Sequence, residues 1–306
     1  MSSAARRKDD AAKAPVSVAP ETLHDLHGNS GARVVLHAGM GTSFVRKTAA
    51  SRAANARLLA QAAKQNNLGR SGVKLPRVLA SGYDGEGRAF FDMDYVPGRT
   101  IANAVATATP FDRLLLFAGV ERLLWLFVAC RGDALPASRF QDKINESTRA
   151  AIARDTCAHV APQIRACARR LHACDWSGIP ESPSHGDLTL ENILITNRHE
   201  IVFIDCDEAW VSSFWLDLGK LFQDASGHWC IRQLYAPGVP AVQRAAAVQK
   251  LDRLAADFRR LAYTADPALP ERLPQLAALS LFRALPYART PAAAEFICAR
   301  IDVGLG

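Results

Sequence analysis

The stretch SHGDLTLENILITNRHEIVFIDCDEAW, residues 184–210, decides the fold of this 306-residue chain. Two short apolar runs around a polar turn predict a β-hairpin. The loop that enters the first run carries His185, Asp187 and Asn192, and the second run ends at Asp205. Because the two arms of a hairpin begin and end on its open side, Asn192 and Asp205 should be neighbours in space.

These side chains are of the kinds that phosphoryl transfer needs, namely hard oxygen ligands for Mg²⁺ and a carboxylate that orients the attacking hydroxyl. Asp187 is the candidate base or orienting group. The Asn192 carbonyl and the Asp205 carboxylate are the candidate metal ligands, and His185 is expected to fix the loop through backbone hydrogen bonds. A metal-dependent hydrolase is an alternative, but it predicts several histidines around the metal, and only His185 lies in these segments.

The rest of the chain divides into a β-rich first part and a helical second part. Short apolar runs with Gly-containing turns predict a three-stranded meander over residues 21–49, and two further strands end near Pro97. Between them, residues 51–66 have a strong helix composition, and Ser51 can cap the start of that helix. Beyond Gly98 the pattern is almost entirely helical, apart from the hairpin, so the fold class is α+β.

The run HGDLTLEN, followed by a hairpin and then FID, resembles the catalytic loop and metal-binding aspartate of the protein-kinase-like superfamily. It is most similar to the aminoglycoside phosphotransferase and choline kinase branch. Eukaryotic protein kinases favour His-Arg-Asp and a later Asp-Phe-Gly, whereas this chain has Gly186 and then Asp205-Cys206-Asp207. The resemblance extends over about residues 21 to 225.

The resemblance implies a bilobal fold. It predicts an N-terminal nucleotide-binding lobe over residues 21–97, with a small antiparallel sheet and one helix. Before this lobe, the Ala-, Ser- and charge-rich composition of residues 1–20 predicts a flexible tail. Residues 98–306 would form a larger, mainly helical catalytic and substrate-binding lobe. Asp217, in SFWLDLGKLFQD, matches an aspartate that braces the catalytic loop in this superfamily.

The same resemblance implies where ATP binds in the first lobe. The turn GNSG stands in the position of the glycine-rich loop, which would place Gly28, Ser30 and Gly31 over the phosphates, although such a turn alone is a weak motif. Lys47 corresponds to the third-strand lysine that contacts the phosphates. Arg46 points to the opposite face of the strand, so an error of one residue in register would exchange the two.

The segment FDMDYVPG, residues 91–98, resembles the hinge between the lobes, where backbone groups pair with adenine. Met93 would stand at its entrance, the Asp94 carbonyl would accept a hydrogen bond, and the Val96 amide would donate one. An ordinary strand that ends at Pro97 is the alternative interpretation.

One departure from the family pattern concerns the helix after the lysine strand. The family lysine usually pairs with a glutamate there, yet residues 48–67 contain no acidic residue, and Gln61 lies near the expected position. A neutral hydrogen bond to Gln61 would be weaker than a charge-assisted one. A catalytically silent kinase fold that binds a nucleotide or a partner is therefore an alternative to an active enzyme.

The resemblance implies an ATP- and Mg²⁺-dependent phosphotransferase that acts on a hydroxyl of a small molecule such as a sugar, an aminoglycoside or an amino alcohol. The runs DLGKLFQD, FVRKTA and FDMDYVPG also resemble bacterial phosphotransferase-like proteins that are encoded with surface-polysaccharide genes. The helices after about residue 225 show packing periodicity but no groups that identify the acceptor.

Composition narrows the remaining function classes. The net charge is +7, but no block of five basic residues occurs, so a nucleic-acid partner is not expected. Seven cysteines without a C-x-x-C pair indicate reduced thiols rather than a disulfide framework or a zinc site. No apolar segment is long enough to span a membrane, and a cytoplasmic location is expected. Oligomeric state leaves no signal in the sequence.

Overall fold

The computed structural model describes residues 21–26, 31–39, 42–235 and 238–305. The first part of the chain forms an antiparallel sheet in the order β1-β2-β3-β5-β4. Its strands are β1 (Glu21–Leu26), β2 (Arg33–Gly39), β3 (Thr42–Thr48), β4 (Val78–Tyr83) and β5 (Ala89–Asp94). The predicted meander of three strands followed by two more is confirmed.

One helix, α1 (Asn55–Arg70), covers the face of this sheet. Leu58 and Ala62 of α1 pack in a small apolar core with Ala89 and Phe91 of β5. The helix composition predicted α1, but Ser51 does not cap it. The Ser51 side chain makes no capping hydrogen bond, and the short 3-10 helix Arg52–Ala54 intervenes.

A second sheet carries the predicted hairpin. Its three strands are β6 (Gly98–Thr100), β7 (Ile193–Thr196) and β8 (Ile201–Phe203), in that order. Strand β6 was not predicted, because three residues show no alternation of apolar and polar positions. A Cβ atom at Gly98 would lie only 2.7 Å from the carbonyl oxygen of Ile195, so the close approach of β6 to β7 requires glycine there.

Helices make up most of the remaining chain. They are α2 (Ile101–Ala104), α3 (Pro110–Val128), α4 (Ala137–Ile152), α5 (Ala161–Ala173), α6 (Phe214–Ser226), α7 (Ala241–Ala265), α8 (Leu269–Phe282) and α9 (Pro291–Gly304). Helix α6 is buried along almost all of its length and packs against α7 and α8. The fold class is therefore α+β, with a small antiparallel sheet lobe and a larger helical lobe, as predicted.

Helix α7 turns an apolar face to the core, on which Leu251, Leu254 and Phe258 are buried. Asp257 of the same helix is also buried and accepts two hydrogen bonds from Arg113 of α3. A buried carboxylate is stable in such a place with charged partners, which here are Arg113, 144 residues away, and Arg260, one turn along α7.

All seven cysteines are free thiols. Among the described helices, none combines the length and the hydropathy that a membrane span requires.

Candidate functional site

The loop before β7 is held in place by helix α6. Asp217 accepts hydrogen bonds from the backbone N–H groups of His185 (2.6 Å) and Gly186 (2.9 Å), and Asp224, two turns further along α6, accepts one from Leu190 (2.6 Å). Burial raises the pKa of Asp217 to about 6, even though both N–H donors favour the ionised form. This is the bracing role that the resemblance implied for Asp217.

Gly186 is required by the path of this loop. Its φ angle is +90°, and a Cβ atom there would overlap the carbonyl oxygen of Asp207. The adjacent His185 is fully buried, its carbonyl accepts the Asp207 N–H at 3.1 Å, and burial lowers the pKa of its imidazole to about 4. His185 is therefore neutral at physiological pH and joins the loop to the segment after β8.

Asp187 lies at the centre of the loop, between an amide and an ammonium group. The Asn192 Nδ2 group donates to the carboxylate (2.9 Å) and to the backbone carbonyl (2.8 Å) of Asp187, and Lys220 of α6 forms an ion pair with the same carboxylate. Burial raises the pKa of Asp187, but Lys220 and Asn192 outweigh it and hold the pKa below its ordinary value. Asp187 is therefore ionised at neutral pH.

The two ends of the hairpin meet as the sequence predicted. The N–H of Ile204 donates to the carbonyl of Asn192 at 2.9 Å, which places Asp205 beside the loop that carries Asp187. Asp205 has a φ angle of +59°, a left-handed conformation that is uncommon for a residue other than glycine. Strain of this kind is concentrated at functional positions.

The third-strand cation is Lys47 rather than Arg46. Lys47 is buried, 3% exposed, and forms an ion pair with Asp205. Arg46 points to the other face of the sheet, where it donates to Asp92 at 2.7 and 2.8 Å and lies over the Phe90 ring. The structure thus brings Lys47 to the cleft and holds Arg46 away from it.

Helix α1 reaches the cleft through Asp207, and not through the strand lysine. The Gln61 Nε2 group donates to the Asp207 carboxylate at 2.6 Å, Arg57 forms an ion pair with it, and Lys64 donates to its backbone carbonyl at 2.6 Å. Asp207 is therefore the residue that anchors α1 to the segment after β8. Burial raises the pKa of Asp207, but Arg57 and Gln61 outweigh it and lower the pKa.

The nucleotide side of the cleft is described in part. Gly28 and Ser30 lie outside the described residues, and Gly31 has a φ angle of +76° with open space around it. At the hinge, the Asp94 N–H donates to the Arg77 carbonyl at 3.0 Å. The Met93 sulfur accepts a hydrogen bond from Gln65 (3.6 Å).

The side chains at the hairpin ends fit a divalent cation by their chemistry. Both N–H atoms of the Asn192 amide are directed to Asp187, so its carbonyl oxygen faces away from that residue. The Asp205 carboxylate is 36% exposed, with Lys47 on one of its two oxygens. Two oxygen ligands suit Mg²⁺, which completes its shell with water and phosphate oxygens. Among the described residues, His, Cys, Asp and Glu side chains form no metal-binding group of three or more.

Three cations of the cleft were missed from the sequence: Arg57, Lys64 and Lys220. Lys220 did leave a signal, because Asp217, Lys220 and Asp224 follow one another at steps of three and four and so share one face of α6. Arg57 and Lys64 left no such signal, because the sequence of α1 does not show which of its polar side chains face the cleft.

A sheet lobe with one helix, a helical lobe, and a cleft that brings together Lys47, Asp187, Asn192 and Asp205 define a protein-kinase-like fold. Residues 24–262 match the family model described as "Phosphotransferase enzyme family". That match covers most of the chain, so the chain belongs to this family of enzymes.

Solved structures share this fold at low sequence identity. A thermostable variant of aminoglycoside phosphotransferase APH(4)-Ia, in ternary complex with ADP and hygromycin B, is 15% identical, with coverage of 94% of this chain and 93% of that chain and a TM-score of 0.62. A glucosamine kinase is 14% identical, with coverage of 91% and 92% and a TM-score of 0.55. A search of curated protein sequences found no match.

Proposed function

We propose that this enzyme transfers the γ-phosphoryl group of ATP to a hydroxyl group of a small molecule, with Mg²⁺ as cofactor. In this proposal residues 21–97 bind the nucleotide and residues 98–306 supply the catalytic loop and the acceptor site. Family membership and the fold of nucleotide-bound phosphotransferases support this assignment.

The observation that carries the proposal is the convergence of Asp187, Asn192 and Asp205 at the open end of one hairpin. Asn192 donates to Asp187 through its side chain and accepts from Ile204 through its backbone, so it joins the candidate base to the segment that carries Asp205. Asp205 follows Ile204 in the chain and forms an ion pair with the buried ammonium of Lys47.

Asp187 would orient the acceptor hydroxyl. A carboxylate with a lowered pKa is a weak base, so it accepts a hydrogen bond from the hydroxyl and receives the proton as the phosphoryl group arrives. Lys220 and Asn192 hold this carboxylate by side-chain contacts on both sides, which fixes its direction. Positioning of this kind is the main protein contribution to phosphoryl transfer.

Asn192 and Asp205 would hold Mg²⁺, which when bound neutralises charge on the phosphate oxygens. Lys47 neutralises Asp205 in this structure. With Mg²⁺ bound to Asp205, the Lys47 ammonium would be free to turn toward a phosphate oxygen. On the nucleotide side, Gly28, Ser30 and Gly31 would cover the phosphates, while the Asp94 carbonyl and the Val96 amide would pair with adenine.

A catalytically silent nucleotide- or partner-binding module is the second candidate. One observation favours it. Helix α1 has no acidic residue to pair with Lys47, so Lys47 instead neutralises Asp205, the candidate metal ligand. Against it, α1 is anchored to the cleft by Gln61 and Arg57 through Asp207, so the helix has an alternative attachment.

The test is a thermal-shift titration with Mg-ATP, followed by an assay of ATP consumption with a panel of sugars, aminoglycosides and amino alcohols. Ligand that binds only the native state raises its stability in proportion to RT ln(1 + [L]/Kd). We expect Mg-ATP to raise the melting temperature of the wild type, and Asp205→Asn to reduce this shift. Asp187→Asn should lower ATP turnover by about a hundredfold to ten-thousandfold. Asp155→Asn, at an exposed aspartate in the 3-10 helix Asp155–Val160, is the matched control and should change neither.

Absence of any shift at millimolar Mg-ATP would refute both the kinase and the nucleotide-module candidates. A shift without ATP consumption by any acceptor in the panel would favour the silent module.

A further inference from the structure

Arg283 is a partly buried arginine that forms no ion pair with any residue the structure describes. It follows the last residue of α8, and its guanidinium carbon lies 5.6 Å from the centre of the Trp210 ring. Within the described residues, its buried Nε atom has no hydrogen-bond partner, and the same is true of the buried Nε1 atom of Trp210. Buried donors without a hydrogen-bond partner cost free energy, so two of them on neighbouring side chains suggest a functional reason.

Arg283 lies within electrostatic reach of the carboxylates of the cleft. Asp187 and Asp207 attract its charge, and so does Tyr287, which is largely exposed in the short 3-10 helix Leu285–Tyr287. These attractions raise its pKa, but burial is the stronger effect, and the pKa of Arg283 is lowered overall. Trp210 comes five residues after Asp205, so the arginine and its ring neighbour adjoin the segment that carries the candidate metal ligand.

The carboxylates of the cleft are already neutralised by other cations. Asp187 pairs with Lys220, Asp207 with Arg57, and Asp205 with Lys47. Arg283 therefore adds a positive charge to a site whose negative charges are taken. An acceptor with several ammonium groups would be repelled by this arrangement, whereas an acceptor with an oxyanion would supply the missing partner.

We propose that the acceptor is anionic: beside its reactive hydroxyl it carries a carboxylate or a phosphate that binds the guanidinium of Arg283. The planar fork of arginine suits both oxyanions, because it donates two parallel hydrogen bonds. This inference rests on the proposed function and adds the acceptor class to it. Acidic sugars and hydroxy acids are the acceptors that meet the description.

A cationic acceptor would have to use other carboxylates. Glu208 is exposed beside the Asp207 segment, and Glu146 of α4 also attracts Arg283 but already pairs with Lys143. Preference for an amino sugar is therefore the result that opposes the inference.

The experiment compares four acceptors that share one ring: glucose, glucuronate, glucose 6-phosphate and glucosamine. ATP consumption and calorimetric binding are measured for the wild type, Arg283→Met, Arg283→Lys and Arg165→Met. Methionine keeps a flexible side chain over Trp210 but removes the charge, and lysine keeps the charge but loses the fork. Arg165 is an exposed arginine of α5 and serves as the control.

We expect the wild type to favour glucuronate or glucose 6-phosphate over glucose, and the preferred one identifies the oxyanion. Arg283→Met should raise the KM of that acceptor about tenfold to a hundredfold, with kcat and the KM of glucose nearly unchanged. Arg283→Lys should have a smaller effect, and Arg165→Met none.

A preference for glucosamine or glucose overturns the inference, and so does an equal loss for all acceptors in Arg283→Met, which would indicate a structural role. Failure of both anionic acceptors to bind also overturns it. These outcomes are distinct from failure of the proposed function, because that failure would appear in the wild type as absence of Mg-ATP binding, or as Mg-ATP binding without ATP consumption by any acceptor in the panel.

Discussion

Replacing Asp224 by asparagine should make the protein less sensitive to pH without loosening the catalytic loop. One carboxylate oxygen of Asp224 accepts the Leu190 N–H at 2.6 Å, and in the described part of the chain the other is buried without a partner. Asparagine can keep the first contact with its carbonyl oxygen. It then places a neutral amide where the ionised carboxylate had an unpaired oxygen.

The magnitude follows from the pKa of Asp224, which burial raises from 3.8 to about 7. The folded protein holds this proton more tightly than the unfolded chain, so the stabilisation is fully present below pH 3.8 and is lost as the pH rises through about 7. At 1.36 kcal/mol per pKa unit, the loss amounts to about 4 kcal/mol. The variant lacks this titration.

The assay is urea unfolding of the wild type and Asp224→Asn between pH 4 and pH 8, analysed from the midpoints at constant m. The stability of the variant relative to the wild type should rise by up to about 4 kcal/mol across this range. Asp217→Asn is the comparison: both Asp217 oxygens accept backbone N–H groups, so asparagine leaves one N–H unpaired and should cost about 1–3 kcal/mol at pH 4. This cost should shrink above pH 6, because burial raises the pKa of Asp217 to about 6 and so destabilises the ionised wild type. A pH-independent difference between the wild type and Asp224→Asn would refute the reasoning.

Three further variants test the cleft. Gly186→Ala places a methyl group against the Asp207 carbonyl and puts alanine at a φ angle of +90°. We therefore expect the free energy of unfolding in urea to fall by at least about 2 kcal/mol. Unchanged stability would contradict the predicted overlap. Lys47→Met should raise the KM of Mg-ATP at least about tenfold, because a charge-assisted contact to phosphate is lost; equal nucleotide affinity in both proteins would rule out that contact. Asp207→Asn removes the ion pair with Arg57 that anchors α1. The backbone amides of α1 should then exchange hydrogen faster, while those of α6 keep their protection. Equal acceleration in both helices would point to general destabilisation.

Some features of the site could be predicted because they are local in sequence. The hairpin pattern fixed the meeting of Asn192 and Asp205, since strand pairing converts a sequence spacing into a spatial one. The alternation of a strand separated Lys47 from Arg46 on opposite faces of β3. The alternation alone does not say which of the two residues faces the cleft. The register of β3 against β5 decides this.

Other features depend on contacts between distant segments. Gln61 was expected near Lys47, but the packing of α1 directs it to Asp207, 146 residues away. Arg113 and Asp257 meet across 144 residues, and neither strand nor helix periodicity contains that information.

The α+β class, the hairpin and the loop that carries Asp187 follow from the amino-acid pattern, because each depends on periodicity or on a short motif whose backbone is fixed locally. Packing between distant segments decided which charges neutralise one another, including the pairs at Asp187, Asp205 and Asp207, and it left Arg283 without an ion pair in the described part of the chain. The physical reason is that the partner of a buried charge is chosen by packing between elements, and this packing brings together residues that are far apart in the chain.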